Sequence, residues 1–174
     1  MKIQIFYDYE CPFCKKGYEN LMDLLPAYPQ TEILWRPVEA HPRPEMSWPH
    51  TDLCIQAFYI AEELGADMNA FHRIMFQKTA IERLNVEKGG VIAEILKEIV
   101  DSRKFLDILK SGKYRSMVDE NNDLAYEKSE AWYLPAFRIP GGDQKTAPKL
   151  DARGGEGVTR NEIGDFLKKA NSFE

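Results

Sequence analysis

The sequence predicts an α/β protein in which one sheet layer, ordered β-α-β and later β-β-α, is interrupted by an inserted all-helical domain. Strand-like alternation at the amino terminus precedes a helical pattern, helical patterns fill the middle of the chain, and strand-like segments return before a final helix. Of the 174 residues, 44% are hydrophobic and 29% are charged. This composition is typical of a globular unit of ~100 to 200 residues with a real core.

The amino-terminal segment has the pattern of a strand, a helix and a second strand. Lys2–Tyr7 alternates β-favouring side chains, and Pro12 fits the first turn of a helix, where its missing N–H costs nothing. The helix is predicted to end at Pro26, and Thr31–Arg36 is predicted to form the second strand. The buried stripe of the helix comprises Cys14, Tyr18, Leu21 and Leu25. A strand-helix-strand unit with parallel strands is half of a thioredoxin-like fold.

The middle of the chain is predicted to be helical after a proline-rich connection. The prolines that exclude regular structure there are Pro37, Pro42, Pro44 and Pro49. Apolar residues at helical spacing then predict four helices, and a less regular fifth helix is expected over 114–129. The four stripes run over Leu53–Leu64, Met68–Thr79, Ile92–Ile99 and Phe105–Leu109.

Strand signals resume near the carboxyl terminus. Trp132–Ile139 is strand-like although it contains a proline, the turn Pro140–Asp143 follows, and a weaker strand is expected over Lys149–Arg153. Thr159–Glu162 has the sequence of a capping box at the start of a last helix. We therefore predict a discontinuous sheet domain formed by residues 1–36 and 131–174, with residues 37–130 as an inserted helical domain.

Charge and hydropathy exclude two classes of partner. The chain has 23 Lys and Arg residues against 28 Asp and Glu residues, so its net charge of −5 provides no basic field for a nucleic acid. The longest apolar run, Ala57–Ala61, is far shorter than the ~20 residues that span a bilayer. Neither a membrane helix nor the apolar core of a signal peptide is present, so the expected location is cytoplasmic.

Two of the three cysteines form a Cys-Pro-Phe-Cys motif. An odd and sparse set of cysteines excludes a stapling disulfide framework and indicates redox chemistry or a metal. Cys11 lies where the first strand leads into the helix, so its sulfur should face the N–H groups of Phe13 and Cys14 and the positive end of the helix dipole, which favours the thiolate. Cys14 lies on the buried stripe and is placed to resolve a mixed disulfide.

Charged residues around the motif act on the Cys11 thiolate in opposite directions. Lys15 would favour the thiolate, whereas Asp8 and Glu10 would oppose it. Side chains of this kind are ordinarily solvated. Asp8 also ends the first strand beside the motif, where it could relay a proton to Cys14.

Two structural alternatives for the motif stay open. A structural zinc needs four ligands, and no second Cys-x-x-C motif or paired histidine is present, so no metal is expected. The other soft candidates are His41, His50, Cys54 and His72. A purely structural disulfide between Cys11 and Cys14 is the other alternative.

Downstream, Pro135 within a strand pattern is explained by a cis peptide bond or by an ordinary trans proline at the start of a strand.

The motif Asp8–Cys14, with Gly17 after it and Leu134–Phe137 downstream, resembles the DsbA family of thioredoxin-fold proteins. The helical stretch from Phe71 to Leu96 resembles its FrnE-like branch, which includes 2-hydroxychromene-2-carboxylate isomerases and kappa-class glutathione transferases. The resemblance covers nearly the whole chain. It implies a helical domain inserted into a thioredoxin fold.

The resemblance also implies roles for individual residues. Cys11 would be the nucleophile, Cys14 the resolving thiol, and a cis Pro135 would face them. The backbone of Leu134 would pair with an extended substrate peptide or with glutathione. Tyr133 stands where the family often has a glycine, so its ring would line the substrate groove, together with Pro12 and Phe13.

The sequence therefore predicts a thiol-disulfide oxidoreductase that acts on a disulfide- or thiol-bearing protein or on glutathione. No cofactor is expected beyond glutathione as a co-substrate. One alternative is a glutathione-dependent isomerase or transferase of the kappa type, which needs no resolving thiol. The other is a non-catalytic module that binds zinc or a partner.

Overall fold

The fold is a mixed α/β arrangement, as the sequence predicts. The computed structural model describes residues 1–141 and 147–172. Its strands are β1 (Lys2–Tyr7), β2 (Glu32–Pro37), β3 (Ala136–Arg138) and β4 (Lys149–Asp151). Its α-helices are α1 (Pro12–Leu24), α2 (Asp52–Glu63), α3 (Met68–Phe76), α4 (Gly89–Leu96), α5 (Ser102–Ser111), α6 (Ser116–Asp123) and α7 (Arg160–Asn171). None of these described helices is long and apolar enough to cross a membrane.

The strands form one sheet in the order β2-β1-β3-β4. β1 pairs in parallel with β2 and antiparallel with β3, so Ile5 lies between Trp35 and Phe137. β3 pairs antiparallel with β4. α1 and α7 pack against each other. The element order is thus β-α-β, then α2 to α6, then β-β-α, and the helical insertion lies between β2 and β3.

Local capping explains where several helices begin and end. Asp67 precedes α3 and accepts hydrogen bonds from the backbone N–H groups of Asn69 and Ala70. The predicted capping box at the start of α7 is present, since Thr159 and Glu162 bond reciprocally through side chain and backbone. α5 ends at Gly112, whose φ of 70° lies in the left-handed region that glycine tolerates.

The strand predicted over Trp132–Ile139 is much shorter in the structure, where only Ala136–Arg138 is extended and paired. Pro135 has no N–H to donate to a ladder, which explains why the pairing starts after it. Of the predicted turn at 140–143, residues 142 and 143 lie outside the described residues. The fifth predicted helix is present as α6, continued by a wider π-helical turn over Leu124–Lys128.

The inserted helices share one hydrophobic core with the sheet. Phe71 and Phe76 of α3 belong to the same buried cluster as Ile3 and Ile5 of β1. This contact also contains a buried chain of hydrogen bonds from Tyr7 Oη to Tyr9 Oη (3.1 Å) and from Tyr9 Oη to His72 Nδ1 (3.0 Å). Burial lowers the pKa of His72 to about 3, so its ring is neutral at physiological pH. The core therefore holds α3 against the carboxyl end of β1, where the cysteine motif begins.

Candidate active site

The Cys11 sulfur caps the amino terminus of α1. Its backbone is extended, and its Sγ accepts a hydrogen bond from the Cys14 N–H at 3.3 Å. The pKa of Cys11 is lowered, mainly by a hydrogen bond from the Cys14 thiol and further by the N–H groups of Cys14 and Phe13. Partial burial and the charge of Asp8 act against this shift. The geometry therefore favours the Cys11 thiolate.

Cys14 occupies the opposite environment, one turn further along α1. It is buried, with 1% of its surface exposed, and it is a free thiol like Cys11. Burial raises its pKa well above the usual value, and the neighbouring Cys11 sulfur raises it further. The pair thus consists of an accessible, acidic thiol and a buried thiol that stays protonated until a base removes its proton.

Asp8 is buried directly after β1, with 1% of its surface exposed. Its carboxylate accepts hydrogen bonds from the backbone N–H of Glu10 at 3.0 Å and of Ala40 at 2.6 Å. Burial nevertheless raises its pKa from 3.8 to about 7. Since Glu10 is also buried (9%), the expectation that these carboxylates are solvated is wrong for both residues. The cause is the proline-rich connection, which folds over them.

The other charges near the motif have partners of their own. Glu10 lies 3.9 Å from His41 Nε2 and 3.9 Å from Arg83 Nη1. Lys15, predicted to favour the Cys11 thiolate, forms an ion pair with Glu19 one turn along α1. The ammonium group of Lys15 is therefore held by a carboxylate on its own helix.

The Leu134-Pro135 segment lies against α1. The peptide bond between the two residues is cis, and the ring of Pro135 packs on Gly17. The Pro135 carbonyl accepts a hydrogen bond from the Ala152 N–H at 3.1 Å. Within the described part of the chain, the backbone N–H and C=O of Leu134 have no hydrogen-bond partner. These groups are free to pair with an added strand.

A cavity of about 600 Å³ opens beside Cys11. Of the residues predicted to bind substrate, Phe13, Tyr133 and Leu134 line it, whereas Pro12 and Pro135 do not. Pro12 begins α1. The remaining lining residues are Ala40, His41, Pro42, Glu45, Tyr126, Glu127, Trp132, Ala152, Gly155 and Glu156. We call this cavity the Cys11 groove.

Most of the Cys11 groove comes from segments that the sequence did not connect with the cysteines. His41 and Glu45 come from the proline-rich connection, which is held in place by the Ala40–Asp8 hydrogen bond and by a hydrogen bond of 2.5 Å from Tyr126 Oη to the Glu39 carbonyl. No local pattern in the sequence signals these contacts. The sequence predicts only that the proline-rich segment excludes regular structure and packs elsewhere. That prediction is wrong for Pro37, which is the last residue of β2, because β2 lies at the edge of the sheet, where a missing N–H is tolerated.

Among the residues that the structure describes, no group of three or more Cys, His, Asp or Glu side chains is placed to hold a metal ion. Cys54, the third cysteine, is fully buried in α2 and does not line the Cys11 groove. Its packing is that of a small apolar residue.

Comparison with known proteins identifies the family and the fold of the chain. A sequence model described as a DSBA-like thioredoxin domain matches residues 2–130. Among curated protein sequences, none matches significantly.

Two solved structures illustrate the structural likeness. A thioredoxin-like oxidoreductase from Silicibacter pomeroyi is 18% identical with a TM-score of 0.69, and the match covers 98% of this chain and 86% of that one. DsbA from Pseudomonas aeruginosa is 16% identical with a TM-score of 0.69, covering 99% and 84%. At these identities the likeness shows the fold, and the FrnE-like branch stays a prediction.

Proposed function

Because the chain belongs to the family of DSBA-like thioredoxin domains, we propose that it is a thiol-disulfide oxidoreductase in which Cys11 and Cys14 alternate between two thiols and one disulfide. The family and the fold support this reaction class. The observation that carries the proposal is the hydrogen bond of 3.3 Å from the Cys14 N–H to the Cys11 sulfur, with a second, buried thiol on the same helix.

The reaction proceeds in two exchanges. The Cys11 thiolate attacks one sulfur of a substrate disulfide, the other substrate sulfur leaves as a thiolate and takes up a proton, and a mixed disulfide remains on Cys11. Cys14 then loses its proton and attacks the Cys11 sulfur, so the mixed disulfide breaks and the second substrate sulfur leaves as a thiolate that takes up a proton. The protein becomes a disulfide, and the substrate receives two electrons and two protons. The reverse sequence oxidises a dithiol substrate.

Asp8 is suited to move the proton of Cys14. A pKa of about 7 means that its carboxyl group exchanges a proton readily at neutral pH. Its charge acts on both cysteines. Asp8 accepts the proton as Cys14 attacks and returns it in the reverse direction.

The substrate lies in the Cys11 groove as an extended segment. The unpaired backbone of Leu134 forms main-chain hydrogen bonds with it. Phe13 and Tyr133 provide apolar contacts, since they are 42% and 55% exposed at the groove. Pro135 and Pro12 act from behind these residues, where they hold the backbone of Leu134 and the start of α1.

The variant Cys14→Ser tests the proposal. Because it keeps the nucleophile and loses the resolving thiol, we expect a stable mixed disulfide on Cys11 after incubation with oxidised glutathione or a disulfide-bearing protein. Peptide mapping by mass spectrometry locates the adduct. The matched control is Cys14→Ser with Cys54→Ala, which should give the same adduct. Absence of any adduct on Cys11 in both proteins would overturn the proposal.

The two other functions predicted from the sequence have distinct signatures. Isomerase or transferase activity with glutathione that survives Cys14→Ser would indicate the kappa-type enzyme. Stoichiometric zinc in the purified protein would indicate a binding module.

A further inference from the structure

The Cys11 groove is lined by negative charge. Glu45, Glu127 and Glu156 come from three separate segments and meet around it. Among the described residues that line the groove, none is a lysine or an arginine. Asp8 and Glu10 are buried and do not line the groove, and Glu10 faces His41 and Arg83. A substrate that approaches Cys11 therefore passes through an acidic opening.

Two of the three carboxylates have no cation of their own. In the described part of the chain, neither Glu127 nor Glu156 forms an ion pair. The Glu45 carboxylate accepts no hydrogen bond from a lysine or arginine in that part of the chain, and it lies 3.0 Å from His41 Nδ1. Among the residues that the structure describes, no lysine or arginine forms an ion pair with any of these three carboxylates.

An aromatic surface lies beside these carboxylates. Trp132 stacks on Tyr126 with ring centroids 5.8 Å apart and an angle of 22° between the planes. Trp132 is nevertheless 61% exposed, so one face of this stack is open to a ligand. Aromatic faces attract ammonium and guanidinium groups. This second feature, independent of the acidic residues, indicates a cationic ligand.

We propose that the Cys11 groove selects cysteine-containing polypeptide segments that carry lysine or arginine beside the reacting sulfur, and that it disfavours glutathione. The inference rests on the proposed thiol-disulfide exchange at Cys11 and specifies its substrate class. Lysine or arginine side chains of the segment contact the Trp132 face and the carboxylates of Glu127 and Glu156. Glutathione has two carboxylates and one ammonium group, so the same field repels it.

Three synthetic peptides measure this preference. Each has one cysteine, joined in a mixed disulfide to neutral 2-thiopyridine, and the flanking residues are lysine, serine or aspartate. The reduced protein donates two electrons, so each turnover releases the peptide thiol and coloured 2-thiopyridone and leaves the Cys11-Cys14 disulfide. The rate for each peptide is divided by the rate at which dithiothreitol, a neutral dithiol, reduces the same peptide disulfide. This ratio removes the intrinsic reactivity of each peptide.

At low ionic strength we expect the lysine peptide to react about fivefold to tenfold faster than the aspartate peptide after this correction, because exposed charges contribute modestly and additively. The ratio should fall towards one at high salt. Glu45→Gln, Glu127→Gln and Glu156→Gln combined should remove most of it. Oxidised glutathione, with its rate divided by that of dithiothreitol in the same way, should react more slowly than the serine peptide.

A control protein removes the same number of charges elsewhere. Glu98→Gln, Asp107→Asn and Glu120→Gln lie on the exposed surface of the helical insertion, outside the Cys11 groove, and should leave the ratio unchanged. Equal corrected rates for the three peptides would overturn the selectivity but keep the exchange reaction. A preference for the lysine peptide that persists in the triple variant of Glu45, Glu127 and Glu156 would also overturn the proposed selectivity. Failure of every peptide to react would contradict the proposed function itself.

Discussion

Gly17 lies so close to Pro135 that a β-carbon at position 17 would stand 2.8 Å from the Pro135 Cγ atom. The ring of proline is rigid, so it cannot move aside as the end of a flexible side chain would. The missing side chain at position 17 therefore determines how closely α1 approaches the Leu134-Pro135 segment. This contact sets the spacing between α1 and the segment that carries Leu134, a residue that lines the Cys11 groove.

Replacing Gly17 with alanine should separate these two elements. We expect Gly17→Ala to lower the free energy of unfolding by about 1–3 kcal/mol, the usual cost of overpacking, and to slow the reaction of Cys11 with a peptide disulfide. Gly164→Ala is the control, since a β-carbon there meets nothing within 4 Å, and it should add about 0.5–1 kcal/mol to the stability of α7. Urea unfolding of both variants provides the comparison. Equal stability of the two would mean that the contact with Pro135 is unimportant.

The acidity of Cys11 should depend on its neighbour Cys14. The alkylation rate of Cys11 by iodoacetamide, followed by mass spectrometry as a function of pH, should show a pKa below its usual value of 9.0. Cys14→Ala should raise that pKa, since it removes the hydrogen bond that lowers it most, although the backbone N–H groups remain. Cys54→Ala should leave the profile unchanged. A wild-type Cys11 that titrates like a free thiol would contradict the proposed nucleophile.

Asp8→Asn should change how stability depends on pH. The pKa of Asp8 is about 7 in the folded protein and 3.8 when exposed, so between these values the folded state binds more protons than the unfolded state. The contribution of Asp8 to the free energy of unfolding of the wild-type protein is therefore greatest below pH 3.8 and is lost as the pH rises through 7. Relative to wild type, Asp8→Asn should gain about 1.4 kcal/mol per pH unit across this window.

Urea unfolding at several pH values measures this difference, and comparison with wild type cancels the other titrating groups. Asp165→Asn, which removes an exposed carboxylate on α7, serves as the control for the loss of one carboxylate. A flat difference for Asp8→Asn would show that Asp8 titrates as an ordinary carboxyl group, and it would remove the reason for assigning it the proton of Cys14.

The elements nearest the cysteines could be predicted from local pattern. Alternation predicted β1, and Pro12 together with the buried stripe predicted the start of α1, because a side chain's position along one strand or one turn determines which face it occupies. The burial of Cys14 and the hydrogen bond from its N–H to Cys11 follow from the same geometry. The strand predicted over Trp132–Ile139 is longer than the observed β3 because pairing begins only after Pro135. Local residues do not specify where strand pairing begins.

Local sequence is enough to predict the element order, the ends of several helices and an accessible thiol backed by a buried one, since these depend on residues within a few positions of each other. The burial of Asp8 and Glu10, and the meeting of Glu45, Glu127, Trp132 and Glu156 at the Cys11 groove, are visible only in the folded chain. Glu45 belongs to the connection that the Ala40–Asp8 hydrogen bond holds over the end of the sheet, whereas the other three lining residues precede β3 or follow β4. Burial and charge are shared among residues distant in the chain, so they depend on how whole elements pack, and local periodicity carries no information about that packing.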